Sequence, residues 1–196
     1  SVTDFTIAPL APIVPEASLS QPSLNYNITC FGASDGTITA SATGGTGAFT
    51  YSLDGSIFQS SAIFLGLIAG TYTVTYKDAN GCIESEQLTL NEPPNLSGTA
   101  SVSLAVDCYG ASTGKITYLV DPANPGIPGY QYSIDNGTNY QFSNIFPGLA
   151  GDINYNVMIE DNNGCQHTST VYLAEPTQIS YSTTLSNYNG FEVSCD

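Results

Sequence analysis

Hydrophobic and polar residues alternate along much of this chain. Ile38, Ala40 and Ala42 interleave with Thr37, Thr39 and Ser41, and Tyr72, Val74 and Tyr76 with Thr71, Thr73 and Thr75. A period of two puts the apolar set on one face of a strand and the polar set on the other, as in antiparallel sheets with one wet face. Asp78-Ala-Asn80-Gly81 separates two such runs and predicts a hairpin, because Asn-Gly tolerates positive φ. The longest apolar stretch, Ile63 to Gly70, is far shorter than the roughly 20 residues of a spanning helix, so no direct membrane insertion is expected.

The pattern then repeats. Ile28-Thr-Cys30-Phe-Gly32-Ala-Ser-Asp-Gly36 returns as Val106-Asp-Cys108-Tyr-Gly110-Ala-Ser-Thr-Gly114. Phe49-Thr-Tyr51-Ser-Leu53-Asp54 returns as Tyr130-Gln-Tyr132-Ser-Ile134-Asp135. Tyr72 to Cys82 returns as Tyr155 to Cys165, and Leu88-Thr-Leu90-Asn-Glu92-Pro93 as Val171-Tyr-Leu173-Ala-Glu175-Pro176. Phe191-Glu-Val193-Ser-Cys195 opens the motif a third time. Internal repetition of this kind marks a tandem array. The expected organisation is residues 1–15 as the last strand and linker of a preceding copy, 16–92 and 93–175 as two β-sandwiches, and 176–196 as the start of a third copy. Five to seven short strands in each copy predict an all-β fold of tandem immunoglobulin-like sandwiches in an elongated arrangement.

Composition narrows the function. The chain has 196 residues and a net charge of −15, with 17 acidic residues against Lys77 and Lys115. So few cations cannot neutralise a phosphate backbone, which excludes nucleic acid as a partner. His167 is the single histidine, too few for a multi-histidine metal site and a poor start for a triad. No leader peptide is visible, so the chain is expected to be a mature protein or a piece of one.

Five cysteines remain. Small sandwiches often need a covalent staple. The spacing suggests Cys30–Cys82 and Cys108–Cys165, each pair spanning most of one copy, with Cys195 unpaired. No Cys-x-x-Cys is present to favour zinc or redox chemistry instead. Disulfides imply an oxidising, extracellular location outside the cytosol.

Two sets of residues are candidate sites. Asp54, Asp78 and Glu92, with their counterparts Asp135, Asp161 and Glu175, offer oxygen ligands of the kind calcium takes. The plainer reading is that Asp and Asn organise turns by bonding their own backbone. Apart from calcium, no cofactor is expected. Tyr130, Tyr140 and Phe142, near the Pro-rich segment Asp121 to Gly129, could stack on sugar rings, or serve as core and cross-strand aromatics. Glycosidase chemistry needs two acids across a cleft, and the repeated acids fall in turns, so no enzyme is expected.

The run Cys30-Phe-Gly-Ala-Ser-Asp-Gly36, the segments Gly44 to Tyr51, Leu67 to Val74 and Asp78 to Cys82, and the closing Glu92-Pro93 resemble the SprB repeat. The likeness spans roughly residues 16 to 176 as two copies. The second copy departs at Thr113, lacks the Gly44–Gly47 run, and has Gly151-Asp-Ile-Asn in place of Gly70-Thr. The resemblance implies a repeat of a filamentous surface adhesin of gliding Bacteroidetes, exported by the type IX route. The substratum, a surface polysaccharide and neighbouring repeats are the partners it implies. Passive stalk repeats, or accessory modules of a secreted carbohydrate-active enzyme, are the alternatives.

Overall fold

The structure, a computed structural model, describes residues 10–22, 25–184, 187–188 and 191–192, and all regular elements among them are β-strands. The first copy contributes β1 (Val14–Leu19), β2 (Gly36–Thr43), β3 (Thr50–Ser52), β4 (Ile63–Leu67), β5 (Gly70–Lys77) and β6 (Ile83–Leu90). They form two three-stranded sheets, ordered β1-β2-β4 and β3-β5-β6. With the strands lettered A, B, C, E, F and G in chain order, these sheets are A-B-E and C-F-G, the immunoglobulin arrangement without its D strand.

The alternation read from the sequence sets the register. β1 pairs antiparallel with β2, with Leu19 opposite Ile38 and Ala17 opposite Ala40. Across the other sheet Tyr51 faces Tyr76, and their rings meet edge to face with centroids 5.7 Å apart. Ile13, Ile28, Ile38, Ala40, Val74, Tyr76 and Leu90 form the buried cluster. The Tyr76 hydroxyl donates a hydrogen bond to Glu86. Burial, followed by that carboxylate, raises its pKa. At the start of β5 the Tyr72 hydroxyl donates to the Ile68 carbonyl at 2.9 Å, a tyrosine corner like that of immunoglobulin strand F.

The second copy follows the same plan with β7 (Leu96–Leu104), β8 (Gly114–Pro125), β9 (Gln131–Ser133), β10 (Ile145–Leu149), β11 (Ile153–Glu160) and β12 (Gln166–Leu173). Its sheets are ordered β10-β8-β7 and β12-β11-β9. Ile116, Tyr118, Val157, Ile159 and Leu173 are buried at the positions of Ile38, Ala40, Val74, Tyr76 and Leu90. A short hairpin of β13 (Asn187–Tyr188) and β14 (Phe191–Glu192) follows.

Backbone contacts group the chain into two compact units whose borders differ from the repeat borders. One unit is Ser1–Gly98 with Val120–Gln131 and Ile159–His167; the other is Thr99–Leu119, Tyr132–Met158 and Thr168–Asp196. The first unit thus holds the first copy together with the Pro-rich loop and hairpin turn of the second.

Two expectations need correction, on the first boundary and on the disulfides, while the expected Asp78 hairpin is present and joins β5 to β6. Ile13 enters the first core and β1 begins at Val14, so residues 13–15 belong to the first sandwich and not to a preceding repeat. In the Asp78 and Asp161 turns only Gly81 and Gly164 take positive φ, at 87° and 81°. Asn80 and Asn163 do not, so each is a three-residue turn closed by glycine. Finally, neither sandwich is closed by its own disulfide: Cys30 bonds Cys165, while Cys82 and Cys108 carry free thiols.

Strand length explains this last result. The segment before Cys30 is anchored at the far end of β6, where the Asn27 and Ile28 amides donate to the Asn91 carbonyl at 2.7 and 3.2 Å. Cys82 lies at the other end of that strand, before Ile83. Eight residues of strand span roughly 26 Å, whereas a disulfide needs Cα atoms within about 7 Å. Cys195 lies outside the described residues.

Truncation of the first core should be costly. Ile38 has no solvent exposure, so Ile38→Ala is expected to destabilise the protein by about 2–5 kcal/mol in denaturant unfolding. A Cβ on Gly36 would lie 2.7 Å from the Leu67 carbonyl oxygen and 2.6 Å from Ile28 Cδ1. Gly36→Ala is therefore expected to cost about 1–3 kcal/mol through overpacking in the same measurement.

Candidate functional site

The site most clearly built by this sequence is the junction where Cys30 of the first copy meets Cys165 of the second, 135 positions later. Each cysteine sits on a turn shaped by a carboxylate.

Cys30 occupies a turn between Ile28, which is buried in the core, and β2. The Ala33 amide donates to the Cys30 carbonyl at 3.0 Å, and Gly32 supplies the positive φ of 73°. Glu92, from the segment that leaves β6, accepts the Gly32 amide at 2.6 Å. Asn27 ties the turn's base to the sandwich: its side chain donates to the Ser20 carbonyl and accepts the Asn91 amide, at 2.8 and 2.9 Å. Buried polar groups need such partners, and Asn27 has several.

Cys165 ends the hairpin that begins at Asp161. One Asp161 oxygen accepts the amides of Asn163 and Cys165 at 2.9 and 3.0 Å, and the other accepts that of Ile127 at 2.9 Å. The carboxylate thus closes the turn and also joins it to the Pro-rich loop. At the junction the Cα atoms of Cys30 and Cys165 are 5.7 Å apart, within the normal disulfide range. Asn163 Nδ2 donates to the Thr29 carbonyl at 3.1 Å. A groove of about 250 Å³ runs alongside, lined by Cys30, Phe31, Pro94 to Leu96 and Gly164 to Gln166.

Both half-sites recur with free thiols. At Cys108 the Ala111 amide donates to the Cys108 carbonyl at 3.1 Å, and Glu175 accepts the Gly110 amide at 2.5 Å. At Cys82, Asp78 accepts the amides of Asn80, Cys82 and Thr46 at 3.0, 2.8 and 3.0 Å.

The six carboxylates considered for calcium all accept backbone amides. Asp54 accepts Ser56 and Ile57, both at 2.8 Å, and the Ser52 hydroxyl at 2.7 Å. Asp135 accepts Thr138 and Asn139 at 3.1 and 2.9 Å and the Ser133 hydroxyl at 2.7 Å. Among the described residues no three His, Cys, Asp or Glu side chains come together as a metal site.

The donors act on acidity. The Ile57 amide, then Ser56 and Ser52, hold Asp54 well below the usual carboxylate range. The backbone and side chain of Asn139, with Ser133, lower Asp135 to about 2. Burial works against ionisation of Asp78, but the amides of Cys82, Thr46, Asn80 and Gly81 outweigh it and lower its pKa.

The aromatic candidates have separate roles. The Tyr130 hydroxyl donates to the Pro125 carbonyl at 2.8 Å and braces the loop. The Tyr140 hydroxyl reaches Met158 Sδ at 3.3 Å, and Tyr140 lines a shallow cavity of about 150 Å³ with Ile134, Asp135, Asn139, Gln141 and Phe146. Phe142, 87% exposed, does not line that cavity.

Residues 26–57, covering the Cys30 turn through the Asp54 turn, match the sequence profile of the SprB repeat. None of the curated proteins matches the chain. The crystal structure of the S-layer protein SbsC domains 4 and 5 aligns over 85% of this chain and 100% of that one, at 14% identity and a TM-score of 0.31. A likeness that slight carries no argument about this protein.

Peptide mapping under non-reducing conditions is expected to recover a Cys30–Cys165 pair. Cys82 and Cys108 should alkylate without reductant. A Cys30–Cys82 or Cys108–Cys165 peptide from untreated protein would refute the junction. The carboxylate turns predict an acid response of defined sign. A depressed folded pKa stabilises fully above the unfolded value of about 4 and is lost as pH falls through the folded value, about 2 for Asp135. The melting temperature should therefore drop between about pH 4 and pH 2, and Asp135→Asn should flatten that drop.

Proposed function

We propose that this chain is a stretch of a SprB-type adhesin, exposed on the surface of a gliding bacterium and exported by the type IX route. Its sandwiches act by position and mechanical continuity and perform no catalysis. The SprB match at residues 26–57 supports the family context. The Cys30–Cys165 bond supports an oxidising, extracellular location, where structural disulfides persist.

The single observation that carries the mechanical reading is the second covalent path between copies. The linker Glu92-Pro93-Pro94-Asn95 is one connection and the disulfide is the other. A pull on the chain is shared by both, and proline keeps the linker stiff. In the chain-entropy account, a cross-link closing 135 residues contributes about 5 kcal/mol. Net charge of −15 disfavours unspecific association between such chains. The reading requires no cofactor, because the candidate calcium ligands already serve as acceptors for backbone amides. The partners are the substratum or a surface polysaccharide, together with neighbouring repeats.

The junction equally favours a second reading, a load-bearing stalk that presents an adhesive tip without binding anything itself. The two differ in solution. As an adhesin, the purified chain should coat polysaccharide or glass and reduce attachment of gliding cells in a dose-dependent way. Unchanged attachment at saturating protein would refute the adhesin reading and favour the stalk.

A further inference from the structure

We propose that Cys82 and Cys108 are the unjoined halves of further inter-repeat disulfides: Cys108 is the socket for the hairpin cysteine of a following repeat, and Cys82 is such a hairpin cysteine. The proposal rests on the Cys30–Cys165 junction within this chain and not on adhesion, so the attachment assay can fail without affecting it.

Each copy holds one cysteine of each kind. Cys30 and Cys108 lie on the turn before the second strand, under Glu92 and Glu175. Cys82 and Cys165 end hairpins closed by Asp78 and Asp161. The observed bond joins the turn cysteine of one copy to the hairpin cysteine of the next. The equivalent bond for Cys108 therefore needs a hairpin from another repeat.

The surroundings match. The occupied junction is lined on the socket side by Cys30, Phe31 and Pro94 to Leu96. A groove of about 380 Å³ beside Cys108 is lined by the corresponding Cys108, Tyr109 and Thr177 to Ile179, with Asp107 and Pro176. What it lacks is the hairpin Gly164 to Gln166 that fills the wall of the first groove. Phe31 and Tyr109 are equally exposed, at 56%. Asp107 stands at the sequence position of Thr29, whose carbonyl accepts Asn163, and the two residues' amides donate alike to the side chain six positions on, at 3.2 Å in each. On the other side, Asn80 stands where Asn163 does, next to the free Cys82, in a turn with the same hydrogen bonds. A groove of about 180 Å³ beside Cys82 is lined by Leu10 to Ile13, Gly45, Asp78 and Ile83 with Glu84.

The chemistry balances with a disulfide as oxidant. A thiolate of one cysteine attacks oxidised glutathione and releases one glutathione thiol. The second cysteine then displaces the other glutathione from the mixed disulfide. In total, two protein thiols and one glutathione disulfide become one protein disulfide and two glutathione thiols.

The test keeps the whole chain and supplies the missing partner from within it. A second copy of residues 14–93 is inserted between Ile179 and Ser180, which keeps Thr177 to Ile179 beside Cys108, and Cys195→Ser removes the third thiol. After oxidation in a glutathione buffer, peptide mapping is read only in molecules that retain Cys30–Cys165, which reports a folded first junction. The original Cys108 is expected to bond the inserted hairpin cysteine, and its alkylation should fall at least tenfold relative to the chain without the insert. Serine at the inserted hairpin cysteine should restore that alkylation in full. Asn80→Ala in the insert should lower the yield of the new bond several-fold at limiting oxidant, about the effect of one lost hydrogen bond. The proposal is overturned if Cys108 still alkylates at the original rate, forms only glutathione adducts, or bonds a different cysteine.

Discussion

The bond between Cys30 and Cys165 constrains the junction because neither thiol can reach a partner in its own sandwich. Each cysteine is held at one end of a strand that is a fixed eight residues long, β6 in the first copy and β12 in the second. Turn chemistry then fixes the direction each thiol takes. Glu92 and Asn27 hold one turn against the end of β6, and Asp161 holds the other against the Pro-rich loop. Each sandwich is held by sheet hydrogen bonds and apolar packing without a disulfide of its own, with Val74, Ile38 and Leu90 almost wholly buried in the first. That leaves the sulfur chemistry for connecting copies.

The strands and their faces were legible in the sequence because period-two alternation directly encodes burial. Ile38, Ala40, Val74 and Tyr76 are buried where the pattern placed them. The disulfide pairing was not legible from spacing, since the span of 52 residues between Cys30 and Cys82 says nothing about which ends of the sandwich they occupy. The signal was present in another form. Glu92-Pro93 marks the end of β6 nearest Cys30, and Asn80-Gly81 marks the opposite end beside Cys82. A count of strand residues between those markers separates the two thiols by several times the reach of a disulfide. Loop-closure arithmetic favours long loops but carries no information on direction.

The repeated carboxylates show the same limit. Asp and Glu in loops suit both a cation and a row of backbone amides, and residue type alone does not separate these uses. The difference lies in where the neighbouring N–H groups point, a property of the folded backbone. Asp161 accepts amides from its own turn and from Ile127, so its two oxygens are committed to different segments. Asp54 gathers donors only from residues 52–57, a purely local turn. Local donors of that kind are what sequence can foresee, whereas the bond from Ile127 depends on a loop that differs between the copies.

Unlike half-sites also have a consequence for symmetry. A contact between two identical patches closes on itself as a dimer, but a contact between different patches leaves one of each unused. In this chain the unused patches carry Cys82 and Cys108, both exposed. The Cys108 turn repeats the hydrogen bonds of the Cys30 turn, and the Cys82 hairpin those of the Cys165 hairpin, so these backbone bonds do not distinguish the bonded pair from the unbonded one. Under the proposed pairing, what distinguishes them is the presence of a neighbouring repeat. Repetition of the proposed contact would give an open series in which every repeat is bonded both to the one before and to the one after, and one rule, turn cysteine to the next hairpin cysteine, suffices for any number of copies.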